Sequence, residues 1–151
     1  MMGYGMKLPD QQTSIIRTVD MFHVKQIFLL MEKIDNINYT TKEFKIWWLK
    51  NFNDKFFRVW VEVDEEEKVV KSFMVANIVK PIIEDEIFIV STYVDPNSNK
   101  GHEFMECVEG WARVLGVRKI SAFVSRGTDG FVRKYGFKTG FVEIFKELTY
   151  G

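Results

Sequence analysis

Residues 87–137 read IFIVSTYVDPNSNKGHEFMECVEGWARVLGVRKISAFVSRGTDGFVRKYGF, and their order decides the fold. An apolar run ends in Val94-Asp95-Pro96, and a polar loop with one glycine, Gly101, follows it. Residues 103–115 then carry Phe104, Cys107, Val108, Trp111 and Leu115 on one stripe, with Glu103, Glu106, Glu109 and Arg113 away from it. That spacing of three and four predicts an amphipathic helix, and Gly116 stands where its C-cap belongs. Ile120, Ala122 and Val124 make a second short strand. Strands joined by a helix run parallel, so the stretch predicts a right-handed strand-helix-strand crossover. The first strand, 87–94, is apolar on both faces, as expected of a central strand covered by helices on either side. Residues 128–135 predict a short helix stopped by Gly136, and 141–148 a closing strand.

Towards the N-terminus, residues 1–12 read as a loose leader and 13–19 as a first strand. Met21, Val24, Ile27, Phe28, Met31 and Ile34 recur with helical spacing, Asp20 is placed as their N-cap, and Asp35-Asn36 ends the run. Thr40 or Thr41 caps a second helix over 42–52, with Phe44, Trp47, Trp48 and Phe52 on or near one side. The period then changes. Phe57, Val59, Val61 and Val63 alternate with Arg58, Trp60 and Glu62, which predicts a half-buried strand. A turn at 64–67 leads to a returning strand at 69–79, and Pro81 with Glu84-Asp85-Glu86 makes the next connection. The elements run βααβββαβαβ. They predict a single domain over 13–151 of α/β (α+β) type, a mixed, mostly antiparallel central sheet with helices on both faces.

Composition narrows the function classes. The 151 residues are 46% hydrophobic and 15% aromatic, enough to bury roughly two-thirds of the unfolded surface in one core. Lysine plus arginine and aspartate plus glutamate both number 21, so no charge excess points to nucleic acid or to an anionic membrane. Residues 27–31 are too short an apolar run to cross a bilayer. One cysteine, Cys107, makes no internal disulfide, and the N-terminus lacks a basic segment followed by an apolar run, which together predict a cytoplasmic setting. His23 and His102 with that cysteine have no metal-ligand spacing, so no metal is expected.

The order of elements, together with Val94-Asp95-Pro96, Lys100-Gly101 and Phe131-Val132-Arg133-Lys134-Tyr135-Gly136-Phe137, resembles the GNAT superfamily of CoA-dependent N-acyltransferases. The resemblance covers nearly the whole chain as architecture, and its specific signals lie within 87–137. It implies an N-acetyltransferase that takes acetyl-CoA as cosubstrate and passes the acetyl group to an amine by direct attack. It also implies pantetheine contacts from the backbone of Thr92, Tyr93 and Val94, and a pyrophosphate loop formed by Asn99, Lys100, Gly101, His102, Glu103 and Phe104. Free N–H groups at a helix start are a physical reason for such an anion site. The pattern departs from the family in three places: the loop keeps one glycine, Ser125 stands where relatives often place Asn, and Val132 stands where they place the acidic Tyr.

Valine cannot donate a proton, so either Tyr135 or Tyr93 is the general acid or the chain has none, with core packing the alternative for Tyr135. Candidate bases are Glu84, Asp85 and Glu86, whose alternative is a solvated turn. Glu103 reads as a carboxylate stabilising the helix start, and His102 as either a phosphate contact or a surface residue. Cys107 falls on the apolar stripe and reads as core. The acceptor is a small-molecule or protein amine. The alternative to an enzyme is a catalytically inactive GNAT-like binding or assembly protein, of a reduced type also encoded by tailed phages. In that reading one of Trp47 and Trp48 is exposed, and with Trp60 facing outward too an apolar patch would mark a site for a homodimer or a protein partner.

Overall fold

Eight elements lie among the described residues: β1 (Thr13–Ile16), α1 (Met21–Met31), α2 (Thr41–Asn51), β2 (Phe57–Asp64), β3 (Val70–Val79), β4 (Glu86–Tyr93), α3 (Gly101–Leu115) and β5 (Ile120–Ala122). They come from a computed structural model that describes residues 13–16, 20–34, 39–80, 84–123, 134–138, 140, 144 and 146–149. Local chemistry explains the helix boundaries. Asp20 accepts from the His23 N–H at 3.0 Å while its own N–H donates to His23 Nδ1 at 3.2 Å. Thr40 and Glu43 make the same reciprocal pair around α2, at 3.1 and 2.8 Å. Each box satisfies two N–H groups that the helix itself cannot. Helix α1 stops at Met31, three residues short of the expected end, and the Asp35-Asn36 stop lies outside the described residues. Helix α3 begins at Gly101, two residues early, and ends on Gly116 in the left-handed conformation at φ 73°, where glycine carries no Cβ penalty.

The sheet runs β1-β2-β3-β4-β5, antiparallel except for the last pair. Side chains of a strand alternate between faces, and here both faces are covered. Val59, Val61, Val63, Phe73 and Val75 pack with Ile27, Met31, Phe44 and Trp48 of α1 and α2. Trp60, Met74, Ala76, Ile87 and Ile89 pack with Phe104, Val108 and Trp111 of α3. The expected half-buried character of β2 is therefore corrected: residues 59–63 are all buried. Alternation was read as one wet face, but α3 lies on that face. Trp60, a candidate for outward display, stacks edge-on against Trp111 at 5.9 Å, with the Arg58 guanidinium 4.9 Å over the same ring. Such an aromatic pair is worth about 0.5–1.5 kcal/mol beyond the area it buries. Trp48 is buried with Trp60 in the core, and Trp47 is half-buried against Phe44 and Phe57.

One irregularity in β4 positions everything that follows. Val75 pairs with Ser91 but the adjacent Ala76 pairs with Ile89, which leaves Val90 as an inserted residue, a β-bulge. Ile87 and Ile89 face α3, whereas Val90 and Tyr93 pack with the α1/α2 cluster and Ser91 donates to Met31 Sδ at 3.3 Å. The insertion reverses the phase of the strand. Thr92 and Val94 consequently turn towards α3, and the Val90 carbonyl accepts from the Tyr39 hydroxyl at 2.9 Å.

The expected helix at 128–135 lies outside the described residues apart from Lys134 and Tyr135, which stand in a helical turn before Gly136 at φ 74°. Of the expected closing strand at 141–148, residues 141–143 and 145 lie outside the described set, while Ile144, Lys146, Glu147 and Leu148 are exposed and carry no strand. No described helix is long and apolar enough to cross a membrane.

Burial pushes the Tyr39 phenol above its usual 10.0, partly offset by a hydrogen bond with Ser91. Folding therefore favours the neutral phenol. Its stabilising contribution is complete below pH 10.0 and is lost as the pH rises through the higher folded value. Replacing Tyr39 with Phe removes the bond to the bulge and should cost about 1 kcal/mol in urea unfolding at pH 7, with a smaller alkaline loss of stability than the parent chain shows.

Candidate active site

The end of β4, the loop that follows it and the start of α3 converge on the face that the bulge opens. Pairing between β4 and β5 covers Ile87, Phe88 and Ile89 opposite Ile120, Ser121 and Ala122. Beyond Ile89 no described β5 residue pairs with β4, while β4 continues to Tyr93. A small apolar pocket of about 70 Å³ lies there, lined among others by Met74, Thr92, Val94, Gly101, Phe104 and Tyr135. The Thr92 hydroxyl donates to the Phe73 carbonyl at 2.9 Å, so Thr92 is turned inward and held. Tyr93 packs on the opposite side, against the α1/α2 cluster.

Helix α3 starts without a side-chain cap, in contrast to α1 and α2. Lys100 is its N-cap residue, and the first intrahelical bond runs from the Phe104 N–H to the Lys100 carbonyl at 3.0 Å. The amides of Gly101, His102 and Glu103 have no partner within the helix, which is the usual origin of an anion site at a helix start. Phe104, expected in the pyrophosphate loop, has its amide bonded to the Lys100 carbonyl and its ring fully buried in the core. Asn99 sits exposed in the loop. Glu103 does more than favour the helix dipole, since its carboxylate holds the Lys100 amine at 3.1 Å.

Gly101 has a different cause from the one expected of a phosphate-loop glycine. A Cβ built there would come 2.5 Å from the Tyr135 hydroxyl. The missing side chain lets tyrosine lie against the helix start. Tyr135 also meets the exposed His102 ring edge-on at 5.1 Å, which joins those two candidates in one contact. Tyr135 is thus half-buried at the pocket and not simply core.

The carboxylate candidates stand elsewhere. Glu84 is exposed and 3.7 Å from Arg118, Asp85 is 3.8 Å from Lys80, and Glu86 is the half-buried first residue of β4, opposite Val79. At a rise of about 3.3 Å per residue, the length of β4 separates them from the start of α3 by about 20 Å. Ser125 lies outside the described residues, as does Val132. Cys107 is half-buried on α3, and its thiol is pushed up by burial and then by the charges of Glu103 and Glu106.

Sequence reasoning missed a buried carboxylate. Glu62 of β2 is 1% exposed and is engaged by the hydroxyls of Ser72 and Ser98. Its place in a strand of a sheet expected to be covered on both faces was the available signal, because such a strand has no water face on which to leave a carboxylate.

No family model matches the sequence, and no curated protein matches it. Solved structures do match in fold. An aminoglycoside 6'-N-acetyltransferase from Acinetobacter baumannii superposes with a TM-score of 0.73 at 10% identity, over 92% of this chain and 99% of its own. A glucosamine-6-phosphate N-acetyltransferase from Arabidopsis thaliana gives 0.69 at 15% identity, over 91% and 99% of the two chains. A predicted acetyltransferase from Clostridium acetobutylicum, solved with acetyl-CoA, gives 0.66 at 16% identity, over 91% and 96%. The chain has the GNAT acetyltransferase fold, an α+β architecture on a mixed sheet.

The Gly101–Tyr135 contact predicts a coupled pair. Gly101→Ala should lower the melting temperature by several degrees, about 1–2 kcal/mol of strain, and the same change should cost clearly less in a Tyr135→Phe background, where the hydroxyl is gone. For Cys107, alkylation by iodoacetamide at pH 8 should be slower in the folded protein than in urea, since the raised thiol holds less thiolate.

Proposed function

We propose that this chain is an acetyl-CoA-dependent N-acetyltransferase that passes the acetyl group to a small-molecule or protein amine by direct attack. The observation that carries the reading is the course of β4: a bulge at Val90 that turns Thr92 and Val94 to the α3 side, with an uncapped helix start beside its end. The residues fit the cosubstrate in chemistry. The amides of Gly101, His102 and Glu103 with the Lys100 amine would hold the pyrophosphate, and the backbone of 92–94 would lie along the pantetheine. When bound, acetyl-CoA supplies an acetyl thioester.

The chain's own residues have three tasks. The helix start orients the phosphates, the strand backbone aligns the thioester arm, and proton carriers serve the two ends of the transfer. Glu86 or Glu84, at the opposite end of β4, would take the acceptor proton only through a chain of several waters. Tyr135, which now lies against Gly101 and His102 at the helix start, would have to turn from the place given to the pyrophosphate to donate to the departing thiolate. The structural neighbours support this reading as relatives in fold, several being acetyltransferases and one solved with acetyl-CoA.

A second reading, a GNAT-like protein that binds or assembles without turnover, is favoured by one observation: the Tyr135 hydroxyl lies close against Gly101 at the helix start, where phosphate is expected. Isothermal titration with acetyl-CoA separates the two. The enzyme should bind with a Kd of hundreds of micromolar or tighter, and no heat at that level, less than about 5 kcal/mol of affinity, would sink it. With an acceptor found by amine screening, Tyr135→Phe should lower kcat by on the order of a hundredfold with KM little changed.

A further inference from the structure

Among the described residues, the fully buried side chains between the sheet and α3 are apolar except where Glu62 faces Ser72. Alternation along β2 sends Trp60 and Glu62 to the α3 side, and Glu62 is almost wholly buried there. A buried carboxylate is costly unless it is well supplied with hydrogen bonds. Glu62 stands directly opposite Ser72 across β2 and β3, beside a register shift at the next pair. The Ser72 hydroxyl donates to Glu62 Oε1 at 2.7 Å. The Ser98 hydroxyl lies over both carboxylate oxygens, at 2.8 and 3.0 Å.

Each hydroxyl then receives a backbone amide of the connection between β4 and α3. The Asp95 N–H donates to Ser72 Oγ at 2.9 Å, and the Lys100 N–H donates to Ser98 Oγ at 3.1 Å. Asp95 opens that connection and Lys100 closes it. Between them the chain folds on itself, with Ser98 N–H donating to the Asp95 carbonyl and Asn97 N–H to Asp95 Oδ1, both at 2.8 Å. A carboxylate is only an acceptor, so both serines must donate towards it and keep their lone pairs for the two amides. One buried charge thereby sets the direction of two hydroxyls and fixes both ends of the loop.

We propose that Glu62 is a positioning residue for the anion end of the cosubstrate: through Ser72 and Ser98 it holds Lys100 and the amides at the start of α3 in the geometry that receives a pyrophosphate. This rests on the acetyl-CoA reading above. An amide side chain of the same shape has one acceptor oxygen instead of two. Both serines reach Oε1, which the amide could keep as an acceptor, but its NH2 group then stands where Oε2 meets Ser98 Oγ at 3.0 Å and, as a donor, competes with the Lys100 N–H for the Ser98 oxygen.

The test uses the full chain and the variants Glu62→Gln and Ser98→Ala, the second being a loop change that serves if the first does not fold. Three quantities are measured: the Kd for acetyl-CoA, the Kd for S-acetylpantetheine, which lacks the pyrophosphate, and amide hydrogen exchange at Asp95 and Lys100. Both variants should bind acetyl-CoA roughly tenfold more weakly, about 1.4 kcal/mol, and S-acetylpantetheine within twofold of the parent. Exchange at Lys100 should speed up in both. Unchanged affinity for acetyl-CoA, or an equal loss for both ligands, overturns the positioning role and leaves the cosubstrate reading standing. A parent chain that binds neither ligand overturns the cosubstrate reading, and the pyrophosphate role with it.

Discussion

A single inserted residue in the central strand governs the geometry of this molecule. Were Val90 an ordinary strand residue and not a bulge, strict alternation would place Ser91 with Ile87 and Ile89 on the α3 face and would send Thr92 and Val94 towards α1 and α2. With it, the strand changes phase halfway along. Its first half packs against α3, and its second half presents Thr92 and Val94 at the start of that helix. A bulge also bends its strand and increases its local twist. Tyr39 is the outside partner that accepts this irregularity, giving the Val90 carbonyl a hydroxyl.

Around that strand, two kinds of polar interaction keep the candidate site in shape. Below the loop, the buried Glu62 works through serine hydroxyls on backbone amides, in a layer where few competing partners exist. At the surface, Glu103 holds the Lys100 amine, a pair with one largely solvated member and so of modest strength. The buried network shapes the main chain, and the surface pair only aims a side chain. Balanced overall charge is compatible with this arrangement, because the positive potential at the helix start is local and comes mainly from backbone dipoles.

Much of the fold was legible because the signals were local. Asp20, Thr40 and Gly116 marked helix ends that the structure places within a residue, since a cap is a matter of a few neighbouring atoms. The parallel pairing of β4 with β5 followed from a helix connecting them. The candidate site was legible in position and less so in detail. The start of α3 and the end of β4 do meet, and Tyr135 joins them. Not legible were the tyrosine that lies against Gly101 and the full burial of the Phe104 ring. Both depend on how α3 is rotated over the sheet, which periodicity along one helix does not specify.

The sequence by itself determined the elements, their order and the mixed sheet, because propensity, caps and apolar period act over a few residues. Only the tertiary structure decided which residues of β2 are core. Trp60 and Glu62 occupy the positions that alternation assigns to water, and α3, nearly forty residues away in the chain, covers them. It likewise decided the phase of β4, since a bulge is defined by the pairing of two strands and leaves no mark in the composition of either. The buried Glu62 and the two serines that face it come from three separate segments, and distance along the chain is the physical reason that their association could not be read from any one of them.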